Sequence, residues 1–273
     1  MNQLSSKEYA MSYVDASPSE LLHNSNEKYI CISLVYYFYL KRSKLKRISQ
    51  FKKTRGLKRK LNTQKYIIES IEKKLIAPVG LSNWNYREIA LKNGKHILKE
   101  ANIVTNQKEY HETITIGNEQ LSYGHSISLG WYSVVLATFL SQVGKIAKIE
   151  NKNNAVIFLD LLSGDKINNL RSFNVVEYII DNSELSNFQI ETIKNNNLDK
   201  LGFAYGTKNG TTKEIKNDYE YVITDWIVQS FHSLLKYEKG NLEKTSEEYQ
   251  LSELAKYLLN KGVFIIKNAI DLI

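Results

Sequence analysis

The stretch Lys28–Leu40, KYICISLVYYFYL, constrains the fold more than any other part of the sequence. It is rich in β-branched and aromatic residues, which suit a pleated surface better than a helix. Its apolar run, Tyr29 to Leu40, falls short of the roughly 20 residues needed to span a bilayer. It therefore reads as a long, mostly buried strand. Ala155–Leu162 (AVIFLDLL) is also continuously apolar, the pattern of a strand covered on both faces.

Other elements follow from periodicity and turn signals. Glu8–Ala16 is a short β-type run ending in Ser17-Pro18-Ser19. Tyr110–Gly117 alternates apolar and polar residues as a half-buried strand does, and Lys200–Tyr205 reads as a further strand. Asn62–Leu75 places Tyr66, Ile67, Ile71 and Leu75 at helical spacing, and Pro78-Val79-Gly80 reads as its stop. Helices are also predicted over Tyr86–Glu100, Ser126–Val143, Val175–Ile180, Leu185–Lys194, Asp218–Tyr237 and Glu247–Leu259, with an apolar tail at Val263–Ile273. Strands mixed with covering helices predict an α/β fold. One domain is expected over 1–240, with 241–273 as a C-terminal helical extension packed on it. No G-x-G-x-x-G or Walker sequence occurs, which disfavours a Rossmann or P-loop nucleotide site.

Of 273 residues, 42% are hydrophobic and 11% aromatic, ample for a core and against global disorder. Cys31 is the only cysteine, so an internal disulfide and a multi-cysteine zinc site are both excluded. The polar opening Met1–Lys7 does not resemble a secretory leader, and a cytoplasmic protein with no membrane partner is expected.

The formal net charge is +8, and the excess is concentrated. Lys41–Lys60 reads KRSKLKRISQFKKTRGLKRK, with 11 Lys or Arg and no acid. Such a run is either a solvated surface or a seat for a polyanion, whose phosphates release counterions when Lys and Arg neutralise them. Lys52, Lys53, Arg55, Lys58, Arg59 and Lys60 are the candidate nucleic-acid contacts. Tyr36, Tyr37 and Tyr39, beside this run, either stack bases or pack within the fold.

Three aspartates stand where carboxylates are costly to bury unless paired or bound to a metal. Asp15 closes the first strand, Asp160 follows Ala155-Val156-Ile157-Phe158-Leu159, and Asp225 lies inside the apolar helical sequence Tyr221–Val228. Asp15 and Asp160 have alternative roles in turns or caps. A turn role is unavailable to Asp225, which must pair with a lysine, face solvent or join other acids. If the three converge, Mg²⁺ or Mn²⁺ would neutralise them, and two such ions support phosphodiester hydrolysis. His125 is either a helix cap or a general base, and Cys31 reads as a buried small hydrophobe. His23, His96, His111 and His232 form no zinc pattern.

The order first-strand Asp, late-strand Asp, helical Asp is similar to the RNase H-like metal-nuclease layout. More narrowly, the chain resembles the bacterial family called domain of unknown function 3800. The matching segments are Tyr13-Val14-Asp15-Ala16-Ser17, the long strand Tyr29–Leu40, Val156-Ile157-Phe158-Leu159-Asp160, Tyr205-Gly206-Thr207-Lys208 and Thr224-Asp225-Trp226-Ile227. The resemblance implies an RNase H-like mixed sheet flanked by helices, and a metal-dependent nuclease with Asp15, Asp160 and Asp225 as ligands. It also implies a phosphate-contacting Lys208 and a further carboxylate after the basic segment, for which Glu88 is the candidate and Glu69 and Glu100 compete. The chain departs from the family at Ala16, where an acid usually follows the first Asp. That departure leaves open an inactive nucleic-acid-binding or partner-binding protein, for instance of an antiphage or mobile-element system.

Overall fold

The computed structural model describes residues 9–17, 28–47, 56–86, 104–108, 111–116, 119–122, 142–144, 146–159, 200–205 and 219–268. Along the chain run β1 (Tyr9–Ser17), β2 (Tyr29–Leu40), a 3-10 turn (Arg42–Lys44), α1 (Leu57–Glu72), β3 (Ile76–Tyr86), β4 (Val104–Lys108), β5 (His111–Ile116) and β6 (Glu119–Ser122). Then follow β7 (Asn154–Leu159), β8 (Lys200–Tyr205), α2 (Tyr219–Glu238), α3 (Glu247–Gln250), α4 (Glu253–Asn260) and β9 (Phe264–Asn268).

β2 shows why its sequence is apolar but for Ser33. Successive side chains on a strand point to opposite faces. Tyr29, Cys31, Val35 and Tyr37 enter one hydrophobic core, whereas Ile30, Ile32 and Leu34, on the other face, are fully buried as well. β1 and β3 flank β2, both antiparallel to it. β7 and β8 continue the sheet beyond β1 in parallel, and β9 runs parallel to β3 at the other edge. The order β8-β7-β1-β2-β3-β9 is a mixed sheet in which β2 alone runs against the other strands. β4, β5 and β6 form a separate antiparallel sheet.

α2 lies across β1 and β2, and α4 packs on both α2 and α1. The core between this helical layer and the sheet includes Ile67 of α1, Ile227 and Phe231 of α2, Leu254 and Leu258 of α4, and Tyr13, Tyr37, Trp84 and Phe264 of the strands. Burying an apolar side chain of this size stabilises the fold by about 1.5–3 kcal/mol. Polar ties set the helix registers: Ser230 Oγ accepts from the Ala255 backbone N–H at 2.8 Å. The chain is thus a mixed α/β fold with helices flanking its sheet.

The structure corrects several expectations. Pro78-Val79-Gly80 does not stop a helix but lies inside β3, and the helix before it spans Leu57–Glu72. The segment from 241 is not purely helical: its helix is broken at Leu251-Ser252 into α3 and α4, and Phe264–Asn268 joins the main sheet as a strand. Of the helix expected at Tyr86–Glu100, Tyr86 ends β3 and the rest lies outside the described residues, as do the helices expected at 175–180 and 185–194 and most of 126–143. No helix among the described residues is long and apolar enough to cross a membrane.

Gly80 occupies its place for want of space. A Cβ there would fall onto the backbone carbonyl oxygen of Leu34 and press on the Phe264 ring. Gly80→Ala is therefore expected to cost about 3 kcal/mol by forcing β2, β3 and β9 apart. An unchanged midpoint in thermal or denaturant unfolding would contradict this.

Candidate functional site

Asp15 and Asp225 meet across the interface between β1 and α2. Odd residues of β1 face the helix: Tyr13 enters the shared core, Asp15 shares a hydrogen bond with the Asp225 carboxyl, and Ser17 reaches His232. On the helix, Asp225, Gln229 and His232 are spaced i, i+4 and i+7, which aligns them along one face. Two carboxyl groups can share a hydrogen bond only when one carries a proton.

Each carboxyl is also held by an N–H donor. The Ala16 backbone N–H donates to Asp15 Oδ1 at 2.7 Å, and Gln229 Nε2 donates to Asp225 Oδ1 at 2.8 Å. Burial pushes the Asp225 carboxyl above the usual carboxylate range, opposed by the hydrogen bonds to Gln229 and Asp15 and by the charge of Lys60. Lys60 belongs to the first turn of α1, so the end of the basic run lies close enough to act on the acid pair.

A satisfied polar network lies beside Asp15. Asp15 pairs in register with Ser33, and Ser33 with Ser82. Ser33 Oγ and the Trp84 indole N–H both donate to Ser82 Oγ at 3.0 Å, and Ser82 Oγ lies 3.1 Å from Cys31 Sγ. Burial, joined by the Asp15 charge and opposed by the hydrogen bonds to Ser82, Ser33 and Trp84, pushes the Cys31 thiol up to about 12. A thiol so placed stays protonated and packs as a small hydrophobe.

Sequence reasoning missed the second contact pair. His232 Nε2 lies 3.2 Å from the Tyr29 carbonyl oxygen and Nδ1 lies 3.0 Å from Ser17 Oγ. A carbonyl can only accept, so Nε2 carries the proton, and in the neutral ring Nδ1 accepts from the Ser17 hydroxyl. The signal was present as spacing: Ser17 stands two residues after Asp15 on a strand, and His232 seven after Asp225 on a helix.

The remaining candidates divide as follows. Lys58 and Arg59 are exposed on the first turn of α1, and Lys60 is partly buried. Glu69 pairs with Lys73 at 3.6 Å on the same helix. Tyr36 and Tyr37 are buried, which removes them as base-stacking residues, whereas Tyr39 is exposed. Ala16 shares the sheet face of its partner Ile32, opposite to Asp15, so an acid at that position would point away from Asp225. β7 ends at Leu159, paired with Val14. Asp160, the next residue, lies outside the described residues, as do Glu88, Glu100, His125, Lys208, Lys52, Lys53 and Arg55.

Asp15 and Asp225 offer an all-oxygen donor set, the type that suits Mg²⁺ or Mn²⁺. Among the described residues no group of three or more His, Cys, Asp or Glu side chains is arranged to hold a metal ion. No family model, curated protein or solved structure matches the chain.

Two outcomes follow. Because its folded pKa is raised, protonated Asp225 supports the fold below the unfolded carboxyl pKa, and that support is lost as pH rises through the folded value. In metal-free buffer, Asp225→Asn should therefore gain Tm relative to the parent as pH rises from about 4 through neutrality. A constant difference across that range would refute the burial argument. His232→Ala should cost about 1–3 kcal/mol by stranding Ser17 and the Tyr29 carbonyl, read from denaturant midpoints.

Proposed function

We propose that the chain is a divalent-metal-dependent nuclease of RNase H-like architecture. The observation that carries this reading is the contact of Asp15 and Asp225 within range of a lysine from the basic segment. The sheet supports it: β2 runs against β1 and β3 while β7 and β8 run parallel to β1, and the resemblance implies a mixed sheet flanked by helices. The charge distribution adds to it. The first turn of α1 holds Lys58, Arg59 and Lys60 and no acid, an arrangement the helix dipole disfavours and a bound polyanion would relieve.

In this reading Asp15 and Asp225 hold Mg²⁺ or Mn²⁺, and Asp160, directly after Leu159 in sequence, completes the set. When bound, the cation supplies Lewis acidity toward phosphoryl oxygens and stabilises the leaving oxygen. Gln229 and the Ala16 N–H orient the two carboxylates, as outer partners of metal ligands do. Lys60 offsets the acid charge and stands ready for a phosphate. Lys52, Lys53, Arg55, Lys58 and Arg59 would hold the backbone, Lys208 would contact phosphate, and Glu88 would add a carboxylate.

The test joins cleavage with metal binding. Labelled DNA and RNA should be cut in Mg²⁺ or Mn²⁺, Asp225→Asn should abolish that cutting, and Gln229→Leu should slow it about 10- to 100-fold. Either ion should raise the Tm of the parent but not of Asp225→Asn. Cutting by Asp225→Asn at the parent rate would remove Asp225 as a metal ligand, and no cutting by the parent with either ion would end the nuclease reading. Nucleic-acid binding without any metal effect would leave an inactive binding protein.

A further inference from the structure

β2 buries its side chains as far as Tyr37 and then changes character: Phe38 is 38% exposed and Tyr39 40%. The cause is in the pairing. Tyr37 pairs with Pro78 and Leu40 with Ile76, so Phe38 and Tyr39 together face the single residue Ala77. A bulge of this kind re-aims side chains that regular alternation would bury. Phe38 is braced from within the fold by Tyr36, whose ring meets it edge-on at 5.2 Å.

The surroundings of these rings are cationic and fixed in place. Lys41, Arg42, Lys44, Lys46 and Arg47 are all exposed, and Lys41 Nζ lies 5.6 Å from the Tyr39 ring centroid. The Lys41 N–H donates to the Leu75 carbonyl at 2.9 Å, and the Lys46 N–H to Tyr66 Oη at 3.0 Å. Arg42 grips both Glu220 carboxylate oxygens at 2.9 Å, fastening the turn to the helix that carries Asp225. Exposed aromatic surface beside ordered cations suits a ligand with flat apolar faces and a phosphate backbone.

We infer that Phe38 and Tyr39, presented by the β2 bulge within this cationic rim, form a base-stacking platform for single-stranded nucleic acid. The inference rests on the nucleic-acid reading above and names the substrate class. In a duplex the base faces are covered by their neighbours, whereas a single strand offers each face to an aromatic ring. Tyr39 stands six positions along β2 from Ser33, the partner of Asp15, or about 20 Å at roughly 3.3 Å per residue. The platform thus holds the strand a few nucleotides from the carboxyl pair.

Anisotropy titrations in EDTA, with a labelled single strand and a duplex of about 15 nucleotides, separate the outcomes. Replacing both residues by alanine should weaken single-strand binding about 10- to 100-fold and leave duplex binding within about twofold. Phe38→Leu with Tyr39→Leu keeps apolar bulk without rings and decides the matter if the alanine pair does not fold. An equal fall on both probes, or unaltered single-strand affinity, overturns the platform and leaves the nucleic-acid reading intact. Failure of the parent to bind either probe overturns the reading beneath it. A concentration-dependent dimer abolished by the same substitutions would make the patch a self-association surface and also overturn the platform.

Discussion

Everything at the centre of the molecule turns on two acids meeting across the packing of β1 against α2. Carboxylates so close, with one of them buried, repel strongly unless a proton or a cation stands between them. Here the fold has already arranged the remaining partners. One oxygen of Asp15 takes a backbone N–H, one oxygen of Asp225 takes the Gln229 amide, and Lys60 contributes a positive charge. Leucine or valine in their place would pack such a core more cheaply. The proposed metal site would account for retaining two acids there, since an oxygen-only donor set suits a hard divalent ion.

α2 carries the geometry. Its polar stripe makes a series of contacts with the sheet and the turn beyond it. Arg42 binds Glu220, Tyr37 Oη donates to the Glu220 carbonyl at 2.9 Å beside Thr224, Asp225 meets Asp15, and His232 bridges Ser17 and Tyr29. The apolar stripe, with Ile223, Ile227 and Phe231, fills the core. Contacts toward both ends of the helix tie it to the sheet and fix where Asp225 sits against Asp15. A site that must position charge to within a fraction of an ångström needs this support.

What the sequence disclosed was what depends on local pattern. β2 was legible because burial on both faces leaves a continuous apolar run, and Asp225 because an acid in an apolar helix has no turn to explain it. β3 was not, because Pro78 and Gly80 ordinarily punctuate. Their strand roles come from tertiary context: Pro78 sits beside the bulge, where a missing ladder donor is tolerated, and Gly80 lets β2 and β9 approach. β9 pairs with β3 far back in the chain, and five residues of tail cannot show a parallel partner. β4 and β6, VTNQK and EQLS, lack the apolar alternation by which strands are recognised. The tyrosines show the same division. Which of Tyr36, Tyr37 and Tyr39 is exposed depends on a one-residue slip in pairing that composition does not encode.

The basic run and the acid pair carry opposite charge, and their closeness has a consequence for how a polyanion can be held. Bare carboxylates repel phosphates, so in the proposed function a backbone drawn in by Lys58 and Arg59 would meet an opposing field at Asp15 and Asp225. Lys60 weakens that field but does not cancel it once both acids are ionised. In the proposed function a divalent cation would reverse it, changing the local charge from negative to neutral or positive and turning a place that rejects phosphate into one that attracts it. Cation and polyanion would then favour each other's binding through one shared charge balance, and by reciprocity each would raise the affinity of the other by the same factor.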